Sequence, residues 1–245
     1  MNLRFDFAEK TALVTGGVSG IGAAVSRALA NAGAKVIACG LTDAEIASAR
    51  ADVAFAAIDI RKLDVADHAA VKALVGGLPS LDFVINSAGM IRRETEHDPD
   101  VFDQVMDVNV SGGMRVSSAA RPLLAKSKGA IVFIGSVMSY FGGPKQPAYS
   151  ASKGAIRNLT MSLAAAYAVD GIRVNAVAPG WVMTQLSKGA REDPTRNAGI
   201  MSRTPIGRWA DPAEIADPIL FLCSDAARYM TGTMMLVDGG YASVG

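Results

Sequence analysis

The sequence has few of the residues that build disulfide frameworks or metal centres. Only two of its 245 residues are cysteines, Cys39 and Cys223, and both stand in apolar surroundings. A disulfide framework is therefore not expected, and both thiols are predicted to be reduced and buried. The two histidines, His68 and His97, sit in polar stretches without the spacing of metal ligands, so no metal is expected.

Excess charge and long apolar runs are also missing. The 24 basic and 23 acidic residues leave a net charge of +1, which provides no electrostatic footprint for nucleic acid. No apolar run approaches the roughly 18 residues of a membrane span. Residues 1–10 are too short and too polar for a signal peptide. The sequence thus predicts a soluble cytoplasmic protein that binds neither nucleic acid nor a membrane.

Hydrophobic residues, in contrast, make up 50% of the chain, which is enough for one large core. Short apolar runs alternate with segments of helical periodicity along the whole length. The runs are apolar on both faces, as buried parallel strands are. This pattern predicts an α/β protein in which residues 1–245 form a single domain. Its centre would be a doubly wound, Rossmann-like parallel sheet of seven strands with right-handed crossovers.

The strands and helices can be placed on the sequence. Strands are predicted within residues 10–15, 34–39, 53–65, 81–89, 129–136, 172–180 and 233–240. The main helices are predicted within residues 23–33, 41–52, 67–77, 100–126, 149–169 and 211–225. Residues 181–210 show no strand pattern, and an irregular stretch of that length is often a lid over a binding site.

Glycines follow the first predicted strand directly. Gly16, Gly20 and Gly22 form the pattern GxxxGxG between that strand and the first helix. Glycine lets the backbone approach a pyrophosphate, and a helix N-terminus offers free N–H groups and a positive dipole end. Tight strand–helix turns also use glycine for geometry alone. At the first such turn of an alternating pattern, however, the cluster favours a dinucleotide site.

Ser136, Tyr149 and Lys153 share one stretch of the sequence, residues 136–153. Tyr149 and Lys153 are four residues apart, so a helix would place them on one face. A lysine ammonium near a phenol favours the phenolate and lowers the phenol's pKa from its usual value of about 10. An isolated pair of this kind is more often a surface contact, so its meaning depends on the other motifs.

Together these motifs resemble those of the short-chain dehydrogenase/reductase family. The resemblance rests on TGGVSGIG at residues 15–22, NSAG at residues 86–89, Asn109, YSASK at residues 149–153 and PG at residues 179–180. Ser136 precedes Tyr149 by 13 residues, a spacing typical of the family. The resemblance covers essentially the whole chain. It implies an oxidoreductase that transfers a hydride between a nicotinamide cofactor and a secondary alcohol or ketone.

The resemblance also implies a role for each matching residue. Tyr149 would be the general acid/base, Lys153 would lower its pKa and bind the nicotinamide ribose, and Ser136 would hold the substrate oxygen. Asn109 would hold a water that links Lys153 to solvent. Asp59 and Ile60 are a lower-ranked alternative to the adenine-binding pair Asp64 and Val65. The residues implied in cofactor binding are Gly16, Ser19, Gly20, Ile21, Gly22, Leu41, Asp64, Val65, Asn86, Ala88, Gly89, Tyr149, Lys153, Pro179, Gly180, Val182 and Thr184.

The sequence departs from the family where cofactor choice is usually encoded. Members that prefer NAD place an acidic residue at the end of the second strand, where this chain has Gly40 and then Leu41. Members that prefer NADP place a basic residue there or before the second motif glycine, where this chain has Ser19. Residues 36–49 contain no lysine or arginine, and Asp43 would repel a 2′-phosphate. The sequence favours NAD without excluding NADP.

The substrate is suggested by a narrower similarity. AGMIRRE at residues 88–94 and RTPIGRW at residues 203–209 resemble dehydrogenases of keto-deoxy sugar acids, the group that includes 2-keto-3-deoxygluconate 5-dehydrogenase. Arg92 or Arg93 could hold a substrate carboxylate bidentately, although surface or subunit contacts would explain both arginines equally well. The predicted substrate is a small molecule, a sugar acid or polyol. The residues expected in its pocket are Arg92, Ser136, Met138, Gln146 and Trp181.

Two other interpretations stay open at this point. The same scaffold could reduce 3-ketoacyl thioesters, although the missing signals for NADP disfavour that reaction. The third interpretation is a non-catalytic family member that only senses a dinucleotide or scaffolds an oligomer, which the intact Asn109, Ser136, Tyr149 and Lys153 disfavour. The family resemblance further implies a homotetramer.

Overall fold

Seven strands form one parallel sheet in the computed structural model, which describes residues 5–244. Residues 1–4, in the polar stretch for which no signal peptide was predicted, therefore lie outside the described residues. The strands are β1 (Thr11–Thr15), β2 (Lys35–Gly40), β3 (Asp59–Lys62), β4 (Phe83–Asn86), β5 (Ala130–Ile134), β6 (Arg173–Pro179) and β7 (Met234–Val237). Their order across the sheet is β3-β2-β1-β4-β5-β6-β7, which confirms the predicted Rossmann-like α/β class.

The chain reverses its direction across the sheet between β1 and β4. From β1 it winds outwards through β2 to β3, and it then returns to place β4 on the other side of β1. The crevice at such a switch point, beyond the carboxyl ends of the strands, is where open α/β sheets bind ligands. The turns after β1 and β4 therefore meet at the expected binding edge.

Helices cover both faces of the sheet. They are α1 (Gly20–Asn31), α2 (Asp43–Ala51), α3 (His68–Gly76), α4 (Pro99–Met106), α5 (Gly113–Ser127), α6 (Pro147–Tyr167), α7 (Lys188–Glu192), α8 (Pro194–Ser202) and α9 (Pro212–Cys223). Val14 of β1 packs in one core with α1 and α9, whereas Leu13 packs in a second core with α3, α5 and α6. Alternate strand residues thus enter opposite cores, which explains why the strands are apolar on both faces.

The predicted helix over residues 100–126 is present, but its middle is not an α-helix. The chain runs from α4 through a π-helix at Asp107–Gly112 into α5, and Asn109 lies within the π-helix. A π-helix is rare and often marks a functional site. The apolar periodicity of the sequence does not distinguish this wider turn from its α-helical flanks.

Residues 181–210 are more regular than the sequence analysis predicted. They contain α7 and α8. Asp193 is the N-cap residue of α8, and its carboxylate accepts hydrogen bonds from the backbone N–H groups of Thr195 and Arg196. This Asp-Pro start is an ordinary helix signal, which the scattered glycine and charge around it obscured. The base of the segment is closed by backbone hydrogen bonds of 2.9 Å between Trp181 or Met183 and Ala210.

Within the described residues, no helix is both long and apolar enough to cross a bilayer.

Both cysteines are buried and unbridged, as the sequence predicts. Cys223 belongs to the core on the α1 side of the sheet and Cys39 to the core on the opposite side. Burial raises the pKa of each thiol to about 12, so the reactive thiolate is scarce at neutral pH.

We therefore expect the native protein to resist a thiol-reactive aromatic disulfide at pH 7.5, because neither thiol is accessible or ionised. Two thiols per chain should react once the protein is unfolded in guanidinium. Absorbance of the released thiolate counts the reacted groups, and rapid reaction of one thiol in the native state would contradict the burial described here.

Candidate active site

The turns after β1 and β4 are pressed together at the switch point. Gly16 has a positive φ of 60°, and a Cβ there would lie 2.9 Å from the backbone of Ala88. The Thr15 hydroxyl accepts hydrogen bonds of 3.2 Å from the N–H groups of Ser87 and Ala88. A Cβ on Gly22 would come within 2.1 Å of the Gly16 carbonyl oxygen. Both glycines are therefore required for the close approach of these turns.

The N-terminus of α1 is left open for an anion. Ser19, the N-cap residue, is extended and makes no side-chain capping bond, and the first turn contains no acidic residue. The unpaired N–H groups and the helix dipole suit a pyrophosphate, as the glycine pattern predicts. Thr184 approaches the same turn from the segment after β6, because a Cβ on Gly20 would lie 3.4 Å from its methyl group.

Asn109 joins the β4 turn to α6. Its Oδ1 accepts from the Met90 N–H at 2.7 Å, and its Nδ2 donates to the Met90 carbonyl at 2.9 Å and to the Ser152 hydroxyl at 3.0 Å. A Cβ on Gly89 would lie 3.4 Å from this Oδ1 and 3.9 Å from Nζ of Lys153. The structure thus brings Asn109, Gly89 and Lys153 together, although they are far apart in the sequence.

Lys153 is buried beneath the site, one helical turn after Tyr149. Its Nζ lies 5.4 Å from the centroid of the Tyr149 ring and donates a 2.8 Å hydrogen bond to the Ile134 carbonyl. Burial disfavours the ammonium and lowers the pKa of Lys153 to about 8. The lysine is still predominantly charged at neutral pH, but its charge is less stable than that of an exposed lysine.

Tyr149 departs from the expectation that its neighbour lowers its pKa. Burial is the largest influence and raises the pKa of Tyr149; hydrogen bonding with Ser136 lowers it, and the Glu96 carboxylate raises it further. The direction is upward because desolvation of the phenolate outweighs the stabilising contacts. The Ser136 hydroxyl also accepts from the Met138 N–H at 3.1 Å, which holds the turn after β5 in place.

The two pairs of residues considered for binding the adenosine part of the cofactor lie at opposite ends of β3. Asp64 follows the carboxyl end of β3, where its Oδ1 accepts from the Ala66 N–H at 2.9 Å, and the next residue, Val65, is buried. Asp59 begins β3 at the opposite end and forms an ion pair of 2.7 Å with Arg61. Only the pair starting at Asp64 therefore lies on the binding edge.

The remaining predicted cofactor residues also lie at strand ends. Leu41 is exposed just after β2, and Asn86 ends β4, where its Nδ2 donates to the Ser117 hydroxyl at 3.1 Å. Ile21 lies in the first turn of α1. Pro179 ends β6, and the backbone then leads from the binding edge through Gly180 and Val182 into the segment with α7 and α8.

The predicted substrate residues differ in their surroundings. Gln146 is buried and accepts a hydrogen bond from the Arg93 guanidinium, while the side chain of Arg92 is exposed. Met138 is partly buried in the turn after Ser136. Trp181 packs edge-on against Trp209 and Tyr241, with ring centroids 5.5 and 6.2 Å apart. Its aromatic contacts thus fasten the segment after β6 to the C-terminal end of the chain.

Two residues at the site were not found by sequence reasoning. Ser152 receives the Asn109 amide and donates to the Tyr149 carbonyl at 2.7 Å. Glu96 is buried, and its carboxylate accepts from the backbone N–H of Tyr149. YSASK contains the serine, but nothing in the polar stretch around Glu96 indicates that this carboxylate folds inward.

The arrangement defines the class of protein. A glycine cradle at a helix N-terminus suits a dinucleotide pyrophosphate, and a tyrosine, a lysine and a serine converge beside it at the same edge of the sheet. A phenol poised against a buried ammonium can exchange a proton with a substrate hydroxyl. These are the parts of an oxidoreductase that uses a nicotinamide dinucleotide to carry hydride.

Comparisons with known proteins agree with this class. The family model described as "Enoyl-(Acyl carrier protein) reductase" matches residues 16–242. The 2-dehydro-3-deoxy-D-gluconate 5-dehydrogenase of Pseudoalteromonas atlantica is 37% identical over 97% of this chain and 98% of that protein. The cis-4-hydroxycyclohexanecarboxylate dehydrogenase of Sinomonas cyclohexanicum is 40% identical over 97% of this chain and 98% of its own.

A solved structure shows the same relationship in three dimensions. A gluconate 5-dehydrogenase from Burkholderia cenocepacia J2315, in complex with NADP and tartrate, superimposes with a TM-score of 0.91 and 33% identity. The match covers 99% of this chain and 98% of that one. The chain therefore belongs to the short-chain dehydrogenase/reductase family, and the resemblance seen in its motifs is confirmed.

We expect Tyr149→Phe to reduce turnover to below about 1% of the wild-type rate, since acid–base catalysis contributes typically 10²- to 10⁴-fold. Binding of NADH should be nearly unchanged, because the substitution leaves the glycine turn and the N-terminus of α1 intact. Steady-state kinetics and a fluorescence titration with NADH measure the two effects. Tyr229→Phe, which removes the hydroxyl of a fully exposed tyrosine, is the matched control. Activity of Tyr149→Phe above a few per cent would contradict the assignment.

Proposed function

We propose that the protein interconverts a secondary hydroxyl and a ketone on a sugar acid, with NAD as its preferred cofactor. The observation that carries the substrate proposal is the position of Arg93. This arginine is joined through Gln146 to the first residues of α6, the helix that carries Tyr149. A cation is thus held at a set distance from the acid–base group, as recognition of a charged substrate requires.

The residues of the chain divide the reaction between them. During oxidation Tyr149, as phenolate, takes the hydroxyl proton of the substrate, and during reduction it returns a proton to the ketone oxygen. Ser136 holds that oxygen, and the Lys153 ammonium stabilises the phenolate form. A nicotinamide cofactor, when bound, would supply or accept the hydride. The glycine turn and the N-terminus of α1 hold the dinucleotide by its pyrophosphate.

Arg93 is suited to a carboxylate. Within residues 5–244 it has no acidic side chain within ion-pair distance, and its hydrogen-bond partner, Gln146, is neutral. Burial and the nearby Arg196 of α8 lower the pKa of Arg93, and the Glu94 and Glu96 carboxylates raise it by less, so the charge of its guanidinium is only partly compensated. An anion beside the two arginines would relieve that cost. Both curated relatives described above are named for substrates that carry a carboxylate.

We expect Arg93→Gln to reduce kcat/KM for a keto-deoxy sugar acid about 10- to 100-fold, because a hydrogen bond to a charged group contributes about 1.5–3 kcal/mol. A neutral polyol should lose much less. Arg228→Gln, which changes an exposed arginine near the C-terminus, is the control. Equal losses on the acid and the polyol would show that Arg93 supports the structure rather than recognises the carboxylate.

A second candidate reaction, reduction of 3-ketoacyl thioesters, has one observation in its favour. The matching family model is described as an enoyl-(acyl carrier protein) reductase, an enzyme whose substrate is also an acyl thioester, although it reduces a carbon–carbon double bond rather than a ketone. The two candidates separate when NAD and NADP are each assayed with keto-deoxy sugar acids, aldonates, polyols and 3-ketoacyl thioesters. Faster turnover of a thioester with NADPH than of any sugar acid would overturn the proposed function.

The turn after β2 supports NAD. The ribose 2′ position of a bound dinucleotide lies near the end of this strand in the fold class. Oε2 of Glu45 accepts from the N–H groups of Leu41 and Thr42 at 3.0 and 2.9 Å, and the Thr42 hydroxyl accepts from the Glu45 N–H at 3.2 Å. The proposal for NAD is supported by this capping box, because it leaves a carboxylate at the turn after β2, and a 2′-phosphate bound there would instead need a donor. Lys62, which ends β3, is already paired with Asp43 at 2.8 Å.

We expect NADH to bind more tightly than NADPH, and Glu45→Gln to improve NADPH binding about tenfold relative to NADH by removing the repelling charge. A tenfold change corresponds to about 1.4 kcal/mol. Calorimetric titration with each nucleotide measures this change without substrate, and Glu9→Gln is an exposed control. The solved relative described above contains NADP. Tighter binding of NADPH by the wild-type protein would therefore refute the NAD proposal and favour that alternative.

We further propose that residues 1–245 act as one domain in a cytoplasmic homotetramer, with residues 181–210 as a lid. The contact of Thr184 with the glycine turn supports the lid, since it brings this segment to the cofactor edge. The edge strand β7 exposes Leu236, which supports a subunit contact there. Two buried thiols suit a reducing compartment.

A further inference from the structure

Glu96 is a buried acid that forms no ion pair among the described residues, although the Arg93 guanidinium is near enough to interact with it electrostatically. Its residue is 1% exposed, and among residues 5–244 no lysine or arginine nitrogen lies within ion-pair distance of its carboxylate. Instead, Oε1 accepts from the Arg92 N–H and Oε2 accepts from the Tyr149 N–H, both at 2.8 Å. A buried carboxylate is costly unless hydrogen bonds satisfy it. These two contacts are therefore what retains Glu96 in the interior.

The helix that carries the acid–base groups begins without a cap of its own. Gln146 is the N-cap residue of α6, but its side chain makes no capping bond and instead accepts from Arg93. Pro147 follows at the first helical position and has no N–H. The N–H of Tyr149 would be one of the unpaired donors of the first turn. Glu96 satisfies it from a different segment of the chain.

Glu96 also lies in the loop that contains the arginines. The loop after β4 runs alongside the residues that precede α6: the Glu94 N–H donates to the Lys145 carbonyl at 2.9 Å, and Arg93 contacts Gln146. Further inward, Glu96 bonds to Arg92 and Tyr149 at once. A single carboxylate therefore fixes the backbone of the tyrosine and the backbone of an arginine in the loop expected to meet the substrate.

We propose that Glu96 is a positioning residue, whose carboxylate caps α6 at Tyr149 and couples the acid–base group to the arginine loop. The coupling to substrate rests on the proposed function of Arg93. The cap on Tyr149 does not, because it concerns only residues that the structure places in contact.

Glu96 affects Tyr149 in two ways, through its hydrogen bond to the backbone and through its negative charge. The groups that face Tyr149 are the Ser136 hydroxyl from the turn after β5, the Lys153 ammonium from α6 and the Glu96 carboxylate from the loop after β4. Glu96 raises the pKa of Tyr149, whereas Ser136 lowers it. Neutralising the carboxylate should therefore lower the pKa of Tyr149. The basic form of the tyrosine would then be populated at a lower pH.

The test compares Glu96→Gln and Glu96→Asp. The glutamine keeps the shape but presents an N–H₂ group to one of the two backbone donors, so we expect kcat to fall about 10- to 100-fold. In alcohol oxidation, the rising limb of the kcat–pH profile should move to lower pH. Glu96→Asp keeps the charge but is too short to reach both N–H groups, so kcat should fall while the limb stays near its wild-type position.

The titration of Tyr149 can also be observed without turnover. Tyrosinate absorbance is recorded against pH for Glu96→Gln and for the double variant Glu96→Gln/Tyr149→Phe, and the difference isolates Tyr149. The same subtraction with Tyr149→Phe alone gives the wild-type reference. A lower midpoint in the Glu96→Gln background supports the proposal even if the substrate class is wrong, so failure of the proposed function is distinguishable from failure of this inference.

Glu9→Gln is the control, because it removes a like charge just before β1, outside the loop that contains the arginines. The Glu9 side chain forms an exposed ion pair with Lys35, and pairs of that kind contribute little. We expect kcat within about twofold of wild type and an unmoved pH limb, in keeping with the small worth of exposed ion pairs. A Glu96→Gln variant that changes only the melting temperature, or that lowers kcat without shifting the Tyr149 titration, would overturn the proposal.

Discussion

The close approach of the turns after β1 and β4, at the switch point of the sheet, fixes the positions of the groups around it. Gly16 lies against Ala88 because neither it nor Gly22 has a side chain, and the Thr15 hydroxyl bonds the turns together. The glycine cradle therefore has a fixed position relative to the turn after β4. Gly89 in that turn lies close to Asn109 and Lys153, so the same contact fixes the glycine cradle relative to the proposed acid–base groups.

Burial affects the two ionisable groups of the site in opposite ways. It lowers the pKa of Lys153 and raises the pKa of Tyr149, which favours the neutral form of both. The site thus stabilises neither charge strongly before ligands are bound. A contact that stabilises the phenolate or the ammonium therefore shifts the pKa of that group. The hydrogen bond between Ser136 and Tyr149, which lowers the pKa of Tyr149, is one such contact.

The parts of the site that sequence reasoning predicted are those whose signals are local. The apolar strands, the glycine turn and the spacing of Tyr149 and Lys153 are set by neighbours in the chain, and they were placed within a few residues. The π-helix around Asn109, the helices within residues 181–210 and the inward fold of Glu96 were missed. Each of these depends on partners distant in sequence or on a capping signal within a polar stretch.

By itself, the sequence determined the α/β class, the family and the reaction type, because apolar periodicity and motif spacing are properties of the chain. It also led to the proposal of Tyr149 as the acid–base group. Only the tertiary structure decided the direction of the Tyr149 pKa, the cap that Glu96 provides to α6 and the carboxylate of Glu45 at the β2 turn. Desolvation depends on how completely other segments cover a group, and hydrogen bonds across the fold depend on which segments meet. Neither the desolvation of a group nor its long-range hydrogen bonds can be predicted from the spacing of residues along the chain.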